Sequence, residues 1–245
     1  SSDVCSSDLA TPAAQFGFLP LIAGTLWVSL FAILFALPFG LSVSIYMSEV
    51  ANPKVRSWLK PIIELLSGIP SVVYGFFGLI VIVPLIQKLF DLPVGESGLA
   101  GSIVLAIMAL PTIITVTEDA MRNCPRAMRE ASLALGASQW QTIYKVVIPY
   151  SISGITSGVV LGIGRAIGET MAVLMVTGNA AVIPTTILEP LRTIPATIAA
   201  ELGEAPAGGP HYQALFMLGV VLFFITLIIN FSVEYISSKG LKRSK

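Results

Sequence analysis

The sequence has little charge and almost no histidine or cysteine. Only 11% of its 245 residues are charged, one is a histidine, and the two cysteines are Cys5 and Cys124. Because a soluble domain has roughly 25% charged residues, this chain cannot cover itself with a polar surface. One histidine and two distant cysteines supply neither a disulfide framework nor a typical metal-ligand spacing. The composition excludes an ordinary soluble domain, and we expect no metal site.

The sequence also lacks the motifs of nucleotide hydrolysis and nucleophilic catalysis. It contains no G-x-x-x-x-G-K-[ST] phosphate-binding loop and no G-x-S-x-G nucleophile motif. Its 14 lysines and arginines balance its 14 aspartates and glutamates, and no basic tract suits nucleic acid. We therefore expect that the chain has no catalytic residues, no cofactor of its own, no ATPase activity by itself and no nucleic acid partner.

Long apolar runs are what the sequence has in abundance. Hydrophobic residues make up 55% of the chain, and the mean hydropathy is +0.86. About 20 apolar residues are needed to span a bilayer as a helix. Five such segments predict an all-α membrane protein, a polytopic helical bundle of about five transmembrane helices in contact with membrane lipid. They are about Leu19–Met47, Pro61–Phe90 (interrupted by Gly68 and Pro70), Leu99–Met121, Tyr150–Thr177 and Tyr212–Ser237.

Positive residues are concentrated after the first and third spans and in the C-terminal tail. Because such residues favour the cytoplasmic side, we expect the N-terminus outside and the C-terminus in the cytoplasm. An outside start without a signal peptide suggests a further span upstream. The positive residues are Lys54, Arg56, Lys60, Arg122, Arg126, Arg129, Lys145, Lys239, Lys242, Arg243 and Lys245.

The ends of the chain and its loops give the expected domain organisation. Residues 1–15 are rich in serine and aspartate, and we interpret them as a disordered or non-native leader before a transmembrane domain at 16–245. We call residues 122–149 the cytoplasmic loop and residues 178–210, on the extracytoplasmic side, the outer loop. The outer loop is rich in proline and glycine, and Thr186–Leu202 could form a short helix there. It is either a docking surface for a partner or an ordinary interfacial loop.

The cytoplasmic loop has the pattern of two short helices. Pro125 suits the first turn of one helix, and Gly136 suits its C-terminal stop. Ser138 and Gln141 fit a capping box for a second helix, which runs to Pro149. This pattern leaves two alternatives. The loop is either an amphipathic segment on the lipid surface or a docking element that moves the adjoining span.

The spacing of this loop resembles the EAA motif of ABC importer permeases. The motif is EAA, three residues, G, nine residues and I-x-L-P, and here Glu130–Ser132, Gly136 and Val146–Pro149 keep that spacing with conservative replacements. The resemblance implies a coupling helix that docks into a cytoplasmic ATPase, which would bind ATP and Mg. The residues carried over for coupling are Glu130, Ala131, Gly136 and Pro149.

Two further blocks resemble phosphate-import permeases. Ile45–Phe76 is similar to their second block, and Gly164–Asn179 is most similar to the PstC-type subunit. That family usually has six spans. The resemblance implies a permease subunit of an ATP-driven phosphate importer in the bacterial inner membrane. Its expected partners are a homologous PstA-type permease, two cytoplasmic ATPase subunits and an extracytoplasmic phosphate-binding protein.

Two charged residues lie in the fourth apolar segment. Gly154, Gly158 and Gly162 recur every four residues, which predicts one helix face that another helix approaches closely. Arg165 and Glu169 continue that stripe, and charges at such a depth are costly. We expect Glu169 to pair with Arg165 as an i,i+4 partner.

This charged pair has two interpretations. Arg165 would contact an anion in a translocation path, because its planar guanidinium binds phosphate in a bidentate way. The resemblance favours this reading and implies Glu169 as a second path residue. Alternatively, the two residues form a neutralised pair that only braces two helices.

Weaker candidates lie near the cytoplasmic ends of the spans. We interpret Glu64, Glu118 and Asp119 as hydrated interfacial carboxylates or as partners of nearby arginines, and His211 as an interfacial polar residue. The run Ser67–Ser71 is either a broken helix along the path or a bend. For the whole chain, the alternatives are a permease for another oxyanion, such as molybdate or sulfate, and a non-conducting membrane scaffold or phosphate sensor.

Overall fold

A computed structural model of the protein describes residues 18–243, so the predicted leader at 1–15 lies outside the described residues. Within that range, five helical stretches are long and apolar enough to cross a membrane, which confirms the predicted helical bundle. They are Phe18–Val50, Ser71–Leu89, Gly98–Arg122, Gln139–Gly168 and Pro210–Val233.

Shorter helices connect and extend these spans. The helices are α1 Phe18–Ile45, α2 Pro53–Ser67, α3 Ser71–Phe77, α4 Val83–Leu89, α5 Gly98–Arg122, α6 Arg126–Ala134, α7 Gln139–Thr142, α8 Ile148–Gly168, α9 Met171–Val176, α10 Ile194–Glu201 and α11 Pro210–Arg243. Three π-helical turns extend α1, join α3 to α4 and join α7 to α8; they are Tyr46–Val50, Gly78–Ile82 and Ile143–Val147, respectively.

Helix α5 forms the centre of the bundle and packs against α1 and α8. The main apolar core joins Ala32 of α1 to Val104 of α5 and Val176 of α9. Small residues allow the helices to approach closely: a Cβ atom on Gly40 would lie only 2.9 Å from the Ile113 side chain. Since lipid tails are as apolar as the side chains, such close packing is what holds membrane helices together.

The second span begins later than predicted. The interruption predicted at Gly68 and Pro70 is confirmed, because α2 ends at Ser67, and the membrane-crossing stretch starts only at Ser71. Pro70 precedes α3 with an extended backbone, at φ −58° and ψ 141°. A proline has no N–H for the helix ladder and disfavours a helical conformation in the residue before it. The start predicted at Pro61 is therefore wrong.

The fourth span ends earlier than predicted. Helix α8 stops at Gly168, and Glu169 is extended, at φ −72° and ψ 133°. The chain then turns into α9, which packs against α3 so closely that a Cβ atom on Gly75 would lie 2.9 Å from the Cα atom of Ala172. The predicted continuous helix Tyr150–Thr177 is wrong, because the contact between α9 and α3 requires a change of direction after Gly168.

The cytoplasmic loop contains the two predicted short helices. The first, α6, is followed by Gly136 at φ +84°, the left-handed region that favours glycine. The second, α7, begins with a capping box in which Ser138 and Gln141 bond each other's backbone N–H groups. It does not stop at Pro149 but runs through a π-helical turn into α8, as one stretch from Gln139 to Gly168.

The outer loop folds into the bundle and is helical over a shorter range than predicted. Only Ile194–Glu201 of the predicted helix Thr186–Leu202 is helical. Leu191 and Ile194 are both fully buried. An isolated parallel bridge joins Gly178 to Leu191. These contacts fix the loop against the outer ends of the spans.

Candidate functional site

The three glycines of α8 lie against α5. Ideal Cβ atoms at Gly158 and Gly162 would lie 2.9 Å from Thr117 and 2.7 Å from Ile113, respectively. Gly154 is even closer to Ala120. For each further turn along α8, the contacted residue on α5 lies three or four positions earlier in the sequence. The two helices are therefore antiparallel and in van der Waals contact.

The same register gives the depth of Arg165. One turn beyond Gly162, Arg165 lies level with the region of α5 around Ala109, near the middle of the 25 residues of that helix. The Arg165 side chain is half-buried. It therefore lies near mid-depth of the bundle, where a charge is costly and marks a candidate functional site.

Arg165 has no carboxylate partner among the residues whose side chains the structure describes. No described residue forms an ion pair or a hydrogen bond with its guanidinium, whose charge extends to Tyr74 of α3. The predicted i,i+4 pair with Glu169 is wrong, because α8 ends between the two residues. The five donors of this guanidinium are therefore available to a ligand.

Glu169 has a different environment from the predicted one. Its Oε1 atom accepts a hydrogen bond from the backbone N–H of Ala172 at 3.4 Å, in the first turn of α9. The residue also lines a narrow cleft with Thr25, Ser29 and Thr193. Glu169 thus occupies the break between α8 and α9 and faces hydroxyl groups of α1 and the outer loop.

Tyr74 bridges the break between α2 and α3. The Tyr74 hydroxyl donates a hydrogen bond of 2.7 Å to the carbonyl of Leu66, across the break. The charge of Arg165 reaches Tyr74, the residue that bridges this break. A second break follows Arg165 at Glu169. Irregular backbone at membrane depth is tolerated where it lines a cavity or is buried in protein.

An open cavity of about 520 Å³ adjoins the second break. Gly168 and Thr170, on either side of Glu169, line it together with α10 and α11. Its volume is in the range of small-molecule pockets. The other lining residues are Pro195, Ile198, Ala199, Leu202, Gly203 and Leu222.

The cytoplasmic loop exposes a group of large apolar side chains. Leu135 is 89% exposed, Tyr144 69% and Trp140 63%. Exposed apolar groups of this kind on one loop mark a surface that contacts either another protein or the membrane. Glu130, Ala131 and Gly136 are exposed beside them, whereas Pro149 is half-buried at the start of α8.

Sequence reasoning missed a buried carboxylate cluster at the cytoplasmic end of α5. Glu118 is 1% exposed, so its interpretation as a hydrated interfacial group is wrong. It pairs with Arg56 at 2.5 Å and Lys60 at 3.0 Å, and more distantly with Arg122 at 3.7 Å. Arg56 and Lys60 are four residues apart on α2, a signal that both face the same neighbour.

The bonds to Lys60 raise the pKa of its ammonium group above the usual 10.5. Burial, the largest single effect, lowers the pKa, but the hydrogen bonds and charges of Asp119 and Glu118 together outweigh it. Asp119 accepts a bond of 2.6 Å from Lys60 and is 53% exposed. Glu64 is exposed on α2.

A second unexpected ion pair connects the cytoplasmic loop to α1. Arg129 of α6 donates a hydrogen bond of 2.8 Å to Glu49, in the π-helical turn after α1. Cys124 is buried next to this pair, and burial raises the pKa of its thiol despite the opposing charge of Arg129. No motif in the sequence indicates that Glu49 and Arg129 meet.

The outer loop carries its own ion-pair cluster. Glu201 of α10 pairs with Arg192 at 2.5 Å and lies 3.3 Å from His211 Nε2 at the start of α11. His211 is thus a polar residue at the outer edge of the last span, and its partner is a carboxylate. In the part of the chain whose side chains are described, no three His, Cys, Asp or Glu residues form a group that could hold a metal ion.

Solved structures of other transporters share this fold. The MetNI methionine ABC transporter in an inward-facing conformation matches with a TM-score of 0.68 and 20% identity, over 90% of this chain and 96% of that chain. A bacterial ABC transporter involved in the import of the acidic polysaccharide alginate matches with a TM-score of 0.67 and 18% identity, over 91% of this chain and 80% of that chain. At these identities the likeness concerns the fold.

Other relatives are more similar to this chain in sequence than these solved structures are. The probable ABC transporter permease protein YqgH of Bacillus subtilis (strain 168) is 41% identical over 225 residues, which cover 92% of this chain and 73% of the relative. The phosphate transport system permease protein PstC of Mesorhizobium japonicum is 38% identical over 240 residues, covering 90% of this chain and 73% of that protein. The family described as binding-protein-dependent transport system inner membrane component matches residues 36–240. The chain therefore belongs to this family of transport-system inner membrane components.

Proposed function

We propose that the chain is the permease subunit of an ATP-driven phosphate importer and forms half of its translocation path. The observation that carries the proposal is Arg165, a guanidinium near the middle of the bundle with no carboxylate partner among the described residues. Relatives named phosphate transport system permease protein PstC support phosphate as the transported anion.

Arg165 is the anion contact of this path. Its planar group offers two parallel hydrogen bonds to a phosphate, in a setting where little water competes. Glu169 lies at the helix break that follows, and its negative charge keeps the anion from binding too tightly. Transport needs binding that is strong enough for entry and weak enough for release.

The exposed apolar side chains of the cytoplasmic loop are the docking surface for an ATPase. Glu130, Ala131 and Gly136 lie on this surface, and Pro149 lies where the loop continues into α8. Because α7 and α8 form one helical stretch, a displacement of the loop moves the span that carries Arg165. ATP and Mg are bound by the partner ATPase and drive the alternating access of the path.

The complete importer contains further subunits and a defined orientation. A homologous PstA-type permease completes the path, two ATPase subunits bind from the cytoplasm, and a phosphate-binding protein docks at the outer loop. The chain is a multi-pass protein of the bacterial inner membrane, with its C-terminus in the cytoplasm. The basic residues of the C-terminal tail favour that side.

The test is copurification of the chain with its candidate partners, followed by uptake of labelled phosphate into sealed vesicles that contain ATP. The proposal predicts ATP-dependent phosphate uptake that unlabelled sulfate or molybdate does not compete away. Uptake that sulfate or molybdate abolishes would instead assign the path to another oxyanion. An assembled complex that hydrolyses ATP without any uptake would overturn the transport function.

A further inference from the structure

Helix α1 is fastened to the cytoplasmic loop by the ion pair between Glu49 and Arg129. The Glu49 carboxylate lies 2.8 Å from Arg129 Nη2, and the two side chains are only 9% and 23% exposed, respectively. Because little water reaches the pair, removal of one charge leaves the other poorly solvated. The contact is thus a specific attachment, in contrast to exposed ion pairs, which contribute little.

Glu49 also holds the second helix of the loop. Gln139, the first residue of α7, donates a hydrogen bond of 3.1 Å from Nε2 to the Glu49 backbone carbonyl. The Ser48 hydroxyl donates a hydrogen bond of 2.8 Å to the Glu49 carboxylate. Arg129 Nη2 makes a further bond of 2.8 Å to the carbonyl of Met121 on α5. Both α6 and α7 are therefore connected to the end of α1, so a movement of the loop acts on α1.

Near its other end, α1 holds the outer loop. The backbone N–H of Ile194 donates a hydrogen bond of 2.9 Å to the Thr25 hydroxyl. A Cβ atom on Gly24 would overlap the carbonyl oxygen of Arg192, so the two backbones are in direct contact. Thr25 and Ile194 are both buried. The segment before α10 cannot shift relative to α1 without the loss of this bond.

The two attachments lie near opposite ends of one continuous helical stretch. Helix α1 and its π-helical turn form a continuous stretch of 33 residues. Thr25 and Glu49 are about 36 Å apart along it, at roughly 1.5 Å per residue. A continuous helix that packs along α5 is suited to connect the two faces of the membrane.

We propose that α1 transmits the movement of the cytoplasmic loop to the outer loop, and that Glu49 is the positioning residue that makes this connection. The inference rests on the proposed function, because it assigns a second route of coupling to the same importer. One route runs through the helical stretch α7–α8 to Arg165. The other runs through Glu49 and α1 to Thr25, Ile194 and the outer loop.

The first test is the ratio of phosphate uptake to ATP hydrolysis in the reconstituted complex. Glu49→Gln should leave ATP hydrolysis in place but lower uptake per ATP by about fivefold or more, the size of a typical coupling. Glu64→Gln is the matched control, since Glu64 is an exposed carboxylate on the same side, and it should behave as the wild type. A wild-type ratio in Glu49→Gln would overturn the proposal.

A second variant tests the opposite end of α1. Thr25→Val preserves the shape of the side chain but removes the acceptor for the Ile194 amide. It should lower uptake per ATP in the same way, and the double variant with Glu49→Gln should be no worse than either single variant. Additive losses, or normal coupling in Thr25→Val, would contradict a common route through α1. This variant also keeps the proposal testable if Glu49→Gln does not assemble.

Two readouts are independent of the transported substrate. In a Cys5→Ser background, Cys124 is the remaining thiol of the chain, and its labelling by a maleimide should accelerate about fivefold or more when Glu49→Gln loosens α6. Hydrogen exchange of the peptide around Ile194 should respond to ATP in the wild-type complex but not in Glu49→Gln. If wild-type vesicles took up no phosphate, the proposed function would fail, while these two readouts would still decide the role of α1. Unchanged labelling and exchange would refute it.

Discussion

Arg56 Nε donates a hydrogen bond of 2.7 Å to the buried Glu118 carboxylate, which ties α2 to the cytoplasmic end of α5. Lys60, one turn further along α2, bonds the other carboxylate oxygen at 3.0 Å. Helix α2 carries an exposed apolar face that includes Trp58 and Leu65. The charges of Arg56 and Lys60 therefore determine which face of this helix is turned towards the bundle.

The Glu118 cluster should contribute to the stability of the bundle. Glu118→Gln preserves the shape but leaves Arg56 without its carboxylate partner and Lys60 with Asp119 alone. The free energy of unfolding should therefore fall by about 2–3 kcal/mol. Asp119→Asn is the control: Asp119 also bonds Lys60 but is 53% exposed, and its loss should cost less than about 1 kcal/mol. Unfolding in detergent measures both changes. Equal losses of unfolding free energy in Glu118→Gln and Asp119→Asn would show that the burial of Glu118 adds nothing to stability.

Lys60 should make the stability depend on pH in the alkaline range. Its pKa is raised in the folded protein, so its contribution is complete below the ordinary value of 10.5 and is lost as the pH rises through the higher folded-state value. Lys60→Arg stays charged throughout this range. The unfolding temperature of the wild type should therefore fall more steeply than that of Lys60→Arg above about pH 10.5. If the unfolding temperatures of the wild type and of Lys60→Arg fell in parallel with pH, Lys60 would not be the source of the pH dependence.

The glycines of α8 should differ in their tolerance of alanine. A Cβ atom at Gly154 would overlap Ala120, whose own Cβ atom cannot move without its backbone. Gly154→Ala should lower the free energy of unfolding by about 1–3 kcal/mol, as other overpacked contacts do. Gly164→Ala, in the same helix, has nothing within 4 Å of the new atom and should be neutral or stabilising by up to about 1 kcal/mol. A larger loss of stability in Gly164→Ala than in Gly154→Ala would refute the observed register of α5 and α8.

Features set by nearby residues were predicted from the sequence. The capping box of Ser138 and Gln141 and the stop at Gly136 follow from side chains within a few residues of one another. The five spans follow from the length of apolar runs. Such signals are local, because they depend on backbone geometry and on the solvent rather than on distant contacts.

Features set by distant residues were not predicted. Glu169 leaves the helix because α9 packs against Gly75, about a hundred positions earlier in the chain, a contact that no local pattern indicates. The burial of Glu118 depends on Arg56, and the position of Arg129 depends on Glu49. The predicted pair of Arg165 and Glu169 depended on a continuous helix through both residues. Because α8 ends at Gly168, the pair does not form, although Arg165 lies at the predicted depth.

Gly136 should matter for its backbone conformation rather than for space. Its φ of +84° is unfavourable for other residues, and nothing lies within 4 Å of a Cβ atom there. Gly136→Val should disturb the turn between α6 and α7 by about 1–2 kcal/mol and reduce copurification of the ATPase. Gly136→Asn should have a smaller effect, because asparagine tolerates the left-handed region. Equal copurification of wild type and Gly136→Val would contradict the docking role of this turn.

The central claim is that Arg165 binds the transported anion. Arg165→Gln removes the charge near the middle of the bundle, and Arg165→Lys keeps a charge without the planar fork. Lys88→Gln is the control, because Lys88 is an exposed cation in the last turn of α4. All three variants should assemble with the ATPase.

The most direct measurement is the rate of ATP-dependent uptake of labelled phosphate by reconstituted complexes that carry these variants. Arg165→Gln should reduce the rate by about tenfold or more, the effect of losing a charge-assisted hydrogen bond, and Arg165→Lys should be intermediate. Lys88→Gln should match the wild type. An Arg165→Gln complex that assembles and takes up phosphate at the wild-type rate would contradict the account.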